Sequence, residues 1–447
     1  MSETLRSVGL DVGTTSTQMV LSELTIENKA SQFAVPEMEI AERKILYKSP
    51  VFFTPLLDEQ RVDGNGIREL IAEEYRKAGI SRDSVDTGAI IITGETSRKE
   101  NARAVLDALS DFAGEFVVAT AGPDLESVLA AKGAGAVEYS QRTGKTVLHM
   151  DIGGGTSNLA LIREGKIVQT GCLNVGGRLL KLVQTGAATY VSPVLAQISD
   201  IKAGNVPARA QLETVADLLV QGLEMAAGLR QRTWLLDLLW TEEAGMVWDV
   251  PEKGAVISFS GGVADCIETE RPALVFGDMG PILGQAIRRS RLCVGAYILG
   301  RETIRATVIG AGCHSTQLSG STVFYQNIHF PLKNIPVVRM EDMPHKAMAI
   351  RQEEVTVLAM EGIASPGYRQ VAELAEKIIG RIRGPILLCL EQDMAKALGQ
   401  ALAVRLPRDA EILCIDRVKV REGSYLDIGA PVGHALPVVV KTLVLGQ

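Results

Sequence analysis

The sequence predicts an α/β protein made of two similar lobes followed by a further α/β unit, and three observations carry that prediction. Ser7 to Leu21 reads as two short apolar runs around a Gly/Thr-rich corner, Asp11-Val-Gly13-Thr14-Thr15, which is a β-hairpin signature. About 140 residues later the pattern returns in Val147 to Ile162 around Asp151-Ile-Gly153-Gly154-Gly155-Thr156, and a third run, Ile167 to Cys172, follows a tight turn. Repetition of a whole strand-corner-strand unit marks an internal duplication, with a ligand lying between the lobes. Elsewhere strand-like and helix-like segments alternate, as in α/β architectures.

Between the two copies, Gly66 to Gly79 (GIRELIAEEYRKAG) has helical apolar spacing and stops at a glycine, while Gly88 to Gly94 is a short buried-strand run. Ala121 to Ala136 is a small-residue helix that opens after Gly122-Pro123 and ends in glycines. Leu212 to Leu239 is mainly helical, Ala255 to Val263 is a strand running into a glycine corner, and Gly277 to Ile287 is a helix with small residues in its early turns. Beyond Gly300 the runs Ala306–Ile309, Val355–Met360, Ile386–Leu390, Ile412–Ile415 and Val438–Val444 read as strands, with a helix over Asp393–Val404. These divisions give a first lobe over 1–140, a second over 141–298, and a C-terminal α/β unit over 299–447 that is a candidate partner-binding region.

Several function classes fall away on composition. A chain of 447 residues exceeds a single core. Its 46% hydrophobic and 22% charged content is that of a globular protein, and a net charge of −7 argues against nucleic acid or an anionic membrane as partner. The start lacks a basic stretch followed by an apolar one, and no segment reaches the roughly 18 apolar residues of a membrane span, so a cytoplasmic location is expected. Six cysteines (Cys172, Cys266, Cys293, Cys313, Cys389, Cys414) show neither C-x-x-C nor metal-ligand spacing and read as reduced, small apolar side chains.

Taken alone, the Asp11 corner is weak, because aspartate and glycine populate turns for conformational reasons. The Asp151 corner is more specific. Three successive glycines cost backbone entropy and pack nothing, yet they let backbone N–H groups approach a phosphate closely. Thr14, Thr15 and Thr156 add hydroxyl donors. Two aspartates at strand ends facing one cleft would repel unless a cation intervened, so Asp11 and Asp151 are expected to hold a hydrated Mg²⁺ that bridges nucleotide phosphates, mostly through water. Rival phosphate motifs fail: Gly144-Lys145-Thr146 lacks the P-loop glycine at position 139, where Tyr139 stands, and Gly310-Ala-Gly312-Cys-His-Ser315 misses the third glycine of a dinucleotide fingerprint and reads as a turn. The dispersed histidines form no metal cluster, and Ser258-Phe-Ser260-Gly261-Gly262 lacks the hydrolase nucleophile frame.

Asp11-Val-Gly-Thr-Thr resembles the phosphate-1 loop of the actin, sugar-kinase and heat-shock-chaperone ATPase superfamily, Asp151-Ile-Gly-Gly-Gly-Thr its phosphate-2 loop, and Ser260-Gly261-Gly262 its adenosine loop. The helices Gly122–Ala136 and Gly280–Ile287 resemble the two connecting helices that cross at the hinge. The resemblance implies a duplicated actin-like fold with ribonuclease-H-like lobes, ATP and Mg²⁺ as ligands, and contacts from Gly13, Thr14, Thr15, Gly153, Gly154, Gly155, Thr156, Gly261 and Gly262 to the nucleotide. Within the superfamily, SVGLDVGTTSTQ, SPVFFTP, GAIIITGET, TAGPDLESVLAAKGAGA, CLNVGGRLL, FSGGVADCI and IRATVIGAGCHSTQLSGSTVF are similar to ethanolamine ammonia-lyase reactivating factors. That family implies ATP-dependent exchange of damaged cobalamin in the lyase for intact adenosylcobalamin, beside or inside a bacterial microcompartment. Its chaperone relatives often place a glutamate before the proline that opens the first connecting helix. Here Gly122 stands there, so Glu95, with Glu126 as second choice, is the expected water-positioning acid. A small-molecule kinase and an actin-like filament subunit are the alternatives on the same fold.

Overall fold

The computed structural model describes residues 3–13, 16–28, 38–58, 61–81, 84–93, 117–120, 123–241, 248–249, 251, 254–314, 316–319, 322–340, 355–382, 384–418, 420, 424–431 and 436–442. The first hairpin is longer than its apolar runs suggested: β1 (Glu3–Val12) and β2 (Ser16–Asn28) pair antiparallel from Glu3↔Ile26 to Val12↔Thr17. β3 (Met38–Lys48) and the short β4 (Phe52–Phe53) both pair with β2. β5 (Thr87–Ile92) and β6 (Val117–Thr120) run parallel on the far side of β1, giving the order β3-β2-β1-β5-β6. Helix α1 (Gly64–Ala78) starts where the Asp63 carboxylate accepts from Gly66 N at 3.0 Å and stops at Gly79, whose φ of 68° suits a residue without Cβ. Its stripe of Ile67, Ile71 and Tyr75 lies on Val8, Leu10, Val12, Ile90 and Ile92 of the sheet.

Two helices follow, α2 (Pro123–Gly133) and α3 (Ala136–Thr143). The second sheet then repeats the five-strand path of the first. β7 (Val147–Ile152), β8 (Ser157–Arg163) and β9 (Lys166–Leu173) form the antiparallel meander. After a small ladder of β10 (Leu180–Leu182) and β11 (Ala188–Val191), strands β12 (Val256–Ser260) and β13 (Tyr297–Leu299) add parallel to β7. The order β9-β8-β7-β12-β13 is that of the first sheet, so the duplication read from the two corners is a duplication of topology. Alternate residues Leu148, Met150 and Ile152 face a core built with α4 (Leu195–Ile198), α5 (Arg209–Ala226), α6 (Trp234–Leu239) and α7 (Gly280–Arg289). Val147, Ala160 and Ile162 face Ala131 and Ala136 of α2 and α3. By alternation Asp151 shares the face of Val147.

The hinge differs from the sequence expectation in one partner. Ala306–Ile309, read as a strand, opens helix α8 (Ala306–His314), and Gly310-Ala-Gly312, read as a turn, is its interior. Val308-Ile309 and the glycines give strand and turn signals locally, but tertiary contact decides otherwise. A Cβ on Gly310 would lie 2.1 Å from Leu129 O, and one on Gly133 would lie 1.9 Å from Ala306 O, so α2 and α8 touch backbone to backbone. Gly9 in β1 admits α8 in the same way, its Cβ position being 2.4 Å from Val308 O. α8 thus lies on the first sheet and α2 on the second, each joined in sequence to the other lobe. The second helix expected at the crossing, α7, instead packs on α5, with Gly284 against Cys266.

The third sheet takes its strands from Thr316 onward. β14 (Thr316–Leu318), β15 (Phe324–Gln326), β16 (Leu332–Arg339), β17 (Val357–Met360), β18 (Ile386–Leu390), β19 (Ile412–Asp416), β20 (Ser424–Ile428) and β21 (Pro437–Thr442) are ordered β14-β21-β20-β16-β17-β18-β19-β15, with β16 to β19 parallel. Helices α9 (Tyr368–Arg381) and α10 (Ala395–Ala403) cover one face. All six cysteines are buried. No helix among the described residues is long and apolar enough to cross a membrane.

Candidate functional site

Each hairpin turns through the same corner. Gly13 N donates to Ser16 O at 2.9 Å, and Gly153 N donates to Thr156 O at 2.9 Å. In each, the aspartate two residues before that glycine faces a buried amide side chain across the ladder: Asp11↔Gln18 and Asp151↔Asn158. The corners therefore match in turn, register and residue type. Gly155 is exposed and a Cβ there would meet nothing within 4 Å, so space for a ligand lies over the backbone of the second corner. Thr14 and Thr15 of the first corner, and Glu95, lie outside the described residues.

Both carboxylates are held. Thr93 Oγ1 donates to Asp11 Oδ1 at 2.9 Å, while Thr54 Oγ1 donates to Gly13 O at 2.7 Å and steadies the turn. Ser260 donates to Asp151 Oδ1, and Thr307 at the start of α8 reaches Oδ2 at 3.4 Å. Ser260 Oγ also lies 2.9 Å from His149 Nε2, and His149 Nδ1 lies 3.0 Å from Ser258 Oγ. Burial pushes the imidazole down to about 3, so it is neutral. With Ser260 giving its proton to Asp151, His149 Nε2–H donates to Ser260 and Ser258 donates to Nδ1. The sequence had placed Ser260 in the adenosine loop only. Its bond to Asp151 comes from the parallel register of β12 on β7, Ser260↔Asp151 and Ser258↔His149, which no local pattern reveals.

Burial pushes Asp11 up to about 7, the Thr93 hydroxyl pulls against it, and the nearby charges of Glu126 and Asp151 push it further up. Asp151 is pushed up to about 6 by burial, against the Ser260 and Thr307 hydroxyls. Both carboxyls are thus harder to ionise than an exposed aspartate. Glu126, in the first turn of α2, is 8% exposed, and its Oε2 accepts from Asn158 Nδ2 at 2.8 Å. The second-choice acid is thus within the electrostatic reach of Asp11 and bonded to the residue that faces Asp151. Buried Gln18 Oε1 and Asn158 Oδ1 have no hydrogen-bond partner among the described residues. Among the described residues no group of three His, Cys, Asp or Glu side chains could hold a metal directly.

The Ser260-Gly261-Gly262 loop sits on the end of β7. Gly261 has φ of 87°, and a Cβ there would be 2.3 Å from Ile152 O. Beneath the second corner runs Val175-Gly176-Gly177-Arg178: Gly177 N donates to Gly153 O at 3.1 Å and Arg178 N to Gly154 O at 2.6 Å. Gly176 is bound to be small, since a Cβ there would stand 2.2 Å from Gly154 O. This stretch of CLNVGGRLL, similar to the reactivating factors, forms the floor of the corner.

Duplicated sheets, twin aspartate-glycine corners and two helices crossing between the lobes define an actin-like, two-lobed protein. The sequence model of the family described as Ethanolamine utilisation protein EutA matches residues 3–446, and the chain belongs to that family. It is 39% identical to the ethanolamine ammonia-lyase reactivase EutA of Salmonella typhimurium, over 98% of this chain and 98% of that one. The reactivase of the same name from Escherichia coli is also 39% identical, with the same 98% coverage of both chains. Among solved structures, the ethanolamine utilization protein EutJ of Carboxydothermus hydrogenoformans matches 68% of this chain and 88% of its own, at 16% identity and a TM-score of 0.34.

Proposed function

We propose that this chain is an ATP-dependent reactivating factor that releases damaged cobalamin from ethanolamine ammonia-lyase so that intact adenosylcobalamin can rebind. The observation that supports the nucleotide part is the pair of matching corners on separate sheets, each with an aspartate at its strand end whose carboxyl burial pushes up. The reactivase names of relatives aligned over 98% of this chain support the partner. ATP with Mg²⁺ would supply the phosphates and the cation that this pair of corners is suited to hold. Asp11 and Asp151 hold the hydrated ion. Gly13, Thr14 and Thr15 on one side and Gly153, Gly154, Gly155 and Thr156 on the other donate to phosphate oxygens, while Gly261 and Gly262 shape the adenosine side.

Glu126, fixed by Asn158, orients the attacking water; Glu95, the first expectation, lies outside the described residues. Because the corners belong to different lobes, engaging both closes the cleft, and hydrolysis removes the contact that favours closure. That motion, felt through the 299–447 unit, loosens the lyase around its cofactor beside the microcompartment. The small-molecule kinase and filament readings gain nothing from the site.

The test is ATP hydrolysis and recovery of lyase activity with cyanocobalamin-inactivated ethanolamine ammonia-lyase, free adenosylcobalamin and Mg²⁺. Wild type restores activity only with ATP. Asp151→Ala loses both activities, and Glu126→Gln binds ATP but turns over roughly 10²-fold or more slowly, in the range expected for losing a positioned acid or base. Hydrolysis without recovery removes the lyase as partner, and normal turnover in Glu126→Gln removes the role of Glu126.

A further inference from the structure

Arg178 is the cationic side chain laid along the second corner. Its Cδ would be 3.3 Å, and its Cβ and Cγ 3.5 Å, from a Cβ built on Gly154, the middle of the three glycines. Its backbone N is tied to Gly154 O at 2.6 Å. At the other end its Nε donates to Asp278 Oδ2 at 3.1 Å, with the Arg178 side chain 24% and the Asp278 side chain 9% exposed. Burial holds the Asp278 carboxyl above its ordinary range, against the pull of Gly280 N–H and the guanidinium, so this acid gains from the cation beside it. Asp278 Oδ1 in turn accepts from Gly280 N, the first residue of α7, at 2.9 Å.

The main chain makes the same connection. Met279 N donates to Gly177 O at 2.9 Å, Leu182 N to Gly277 O at 2.8 Å, and Lys181 bridges Asp278 in an antiparallel pair. Gly177 has room for no side chain, its Cβ position being 2.8 Å from Gly280 Cα. Residues 176–182 are therefore one rigid link from the glycine corner to the start of α7, which packs on α5 in the large core of the second lobe. The only charged side chain in that link to touch the corner is Arg178, among the described residues.

A guanidinium carries its donors in a planar fork that suits phosphate oxygens and carboxylate alike. We infer that Arg178 is a specificity residue for the terminal phosphate of a nucleoside triphosphate, and that its bond to Asp278 passes the presence or loss of that phosphate to α7. The inference rests on the nucleotide reading above and adds which residue tells triphosphate from diphosphate. With the triphosphate bound, the fork is shared between the phosphate and Asp278, and residues 277–280 are held; with the diphosphate, Arg178 keeps only its bond to Asp278. A lysine in its place keeps the charge but cannot make both contacts in one plane.

The experiment measures Kd for ATP and for ADP, each with Mg²⁺, on the full chain and on Arg178→Gln and Arg178→Lys. Hydrogen exchange over 277–289 is followed in both nucleotides. Wild type prefers ATP. Arg178→Gln is expected to weaken ATP at least about 10-fold, the loss of one charge-assisted contact, while leaving ADP nearly unchanged, and to erase the difference in exchange between ATP and ADP. Arg178→Lys is expected to fall between them, and it carries the test if the glutamine variant does not fold. Equal losses for ATP and ADP make Arg178 a purely structural support and overturn the inference. An ATP preference retained in both variants overturns it too, while leaving the nucleotide site standing. If wild type binds neither nucleotide, the nucleotide reading itself is at fault.

Discussion

The two corners share a turn, a register and an aspartate, yet they are supported differently. Among the described residues the Asp11 corner is backed by single hydroxyls, Thr93 on the carboxylate and Thr54 on the turn. The Asp151 corner rests on a floor of glycines and Arg178, and its carboxylate ends a buried line of Ser260, His149 and Ser258. Duplication supplied the same backbone twice, and the surroundings made one copy lightly held and the other tightly built. Both carboxyls are pushed up chiefly by burial, Asp11 to about 7 and Asp151 to about 6. At Asp11 the neighbouring charges of Glu126 and Asp151 add to the shift.

The largest effect should come from crowding the tight corner. Gly261 has φ of 87° and no room, with Ile152 O at 2.3 Å from a Cβ, whereas the nearest atom to a Cβ on Gly262 is 3.7 Å away. Gly261→Ala must move the end of β7 or its own loop, and should cost about 2 kcal/mol or more in stability and abolish nucleotide binding. Gly262→Ala should keep near-wild-type stability, read by thermal unfolding, and retain binding. Equal tolerance at both positions would mean that Ile152 O does not confine Gly261 and that this side of the second corner is not tightly built.

How much of this was legible in the sequence follows from the range of each signal. The corners were, because Asp-x-Gly repeated between apolar runs is local, and so was the duplication. Ser260 was visible as part of a glycine corner, but its bond to Asp151 depends on β12 lying beside β7 across more than a hundred residues of chain. Glu126 could be named only as an alternative, since its bond to Asn158 joins a helix of one segment to a strand of the next. Helix α8 was misread because Val308-Ile309 and two glycines carry strand and turn signals, while their actual cause, contact with α2 and β1, is tertiary. Arg178 left a trace only in the family stretch CLNVGGRLL, where arginine after two glycines has no chemistry of its own until the floor of the corner is seen.

A middle-sized effect separates the carboxylates by pH. An acid whose folded value lies above its unfolded one favours folding when protonated, so that advantage is present at low pH and lost as pH rises through the folded value. For Asp11 the window runs from 3.8 to about 7, and for Asp151 from 3.8 to about 6. The nucleotide-free protein should therefore lose stability between roughly pH 4 and 7, on the order of 1–3 kcal/mol. Asp11→Asn should raise the unfolding midpoint at pH 8 and flatten its decline. Asp151→Asn should do the same with the decline shifted to lower pH. Added Mg²⁺-ATP should reverse the ranking, stabilising wild type above either variant, because the cation then favours the ionised pair. A wild-type midpoint that holds level over this window would show that neither aspartate is short of countercharge.

The smallest effect compares the hydroxyls. Thr93→Val removes one donor from Asp11 and leaves an apolar side chain of similar shape, so the carboxyl should rise further and Mg²⁺-dependent nucleotide affinity should fall by less than about 10-fold, with little change in stability. Ser260→Ala removes a donor from Asp151 and also strands His149 Nε2, which is fully buried, so it should cost about 1–3 kcal/mol in stability as well as affinity. Restoring Ser260→Thr should recover part of both losses, since the hydroxyl returns. Thermal unfolding beside nucleotide titration separates the two costs. If Thr93→Val and Ser260→Ala lose affinity and stability in the same proportion, the buried line behind Asp151 contributes nothing beyond its last hydroxyl. If only Ser260→Ala loses stability, the second corner owes its rigidity to His149 being satisfied on both ring nitrogens, a support without counterpart among the described residues of the first corner.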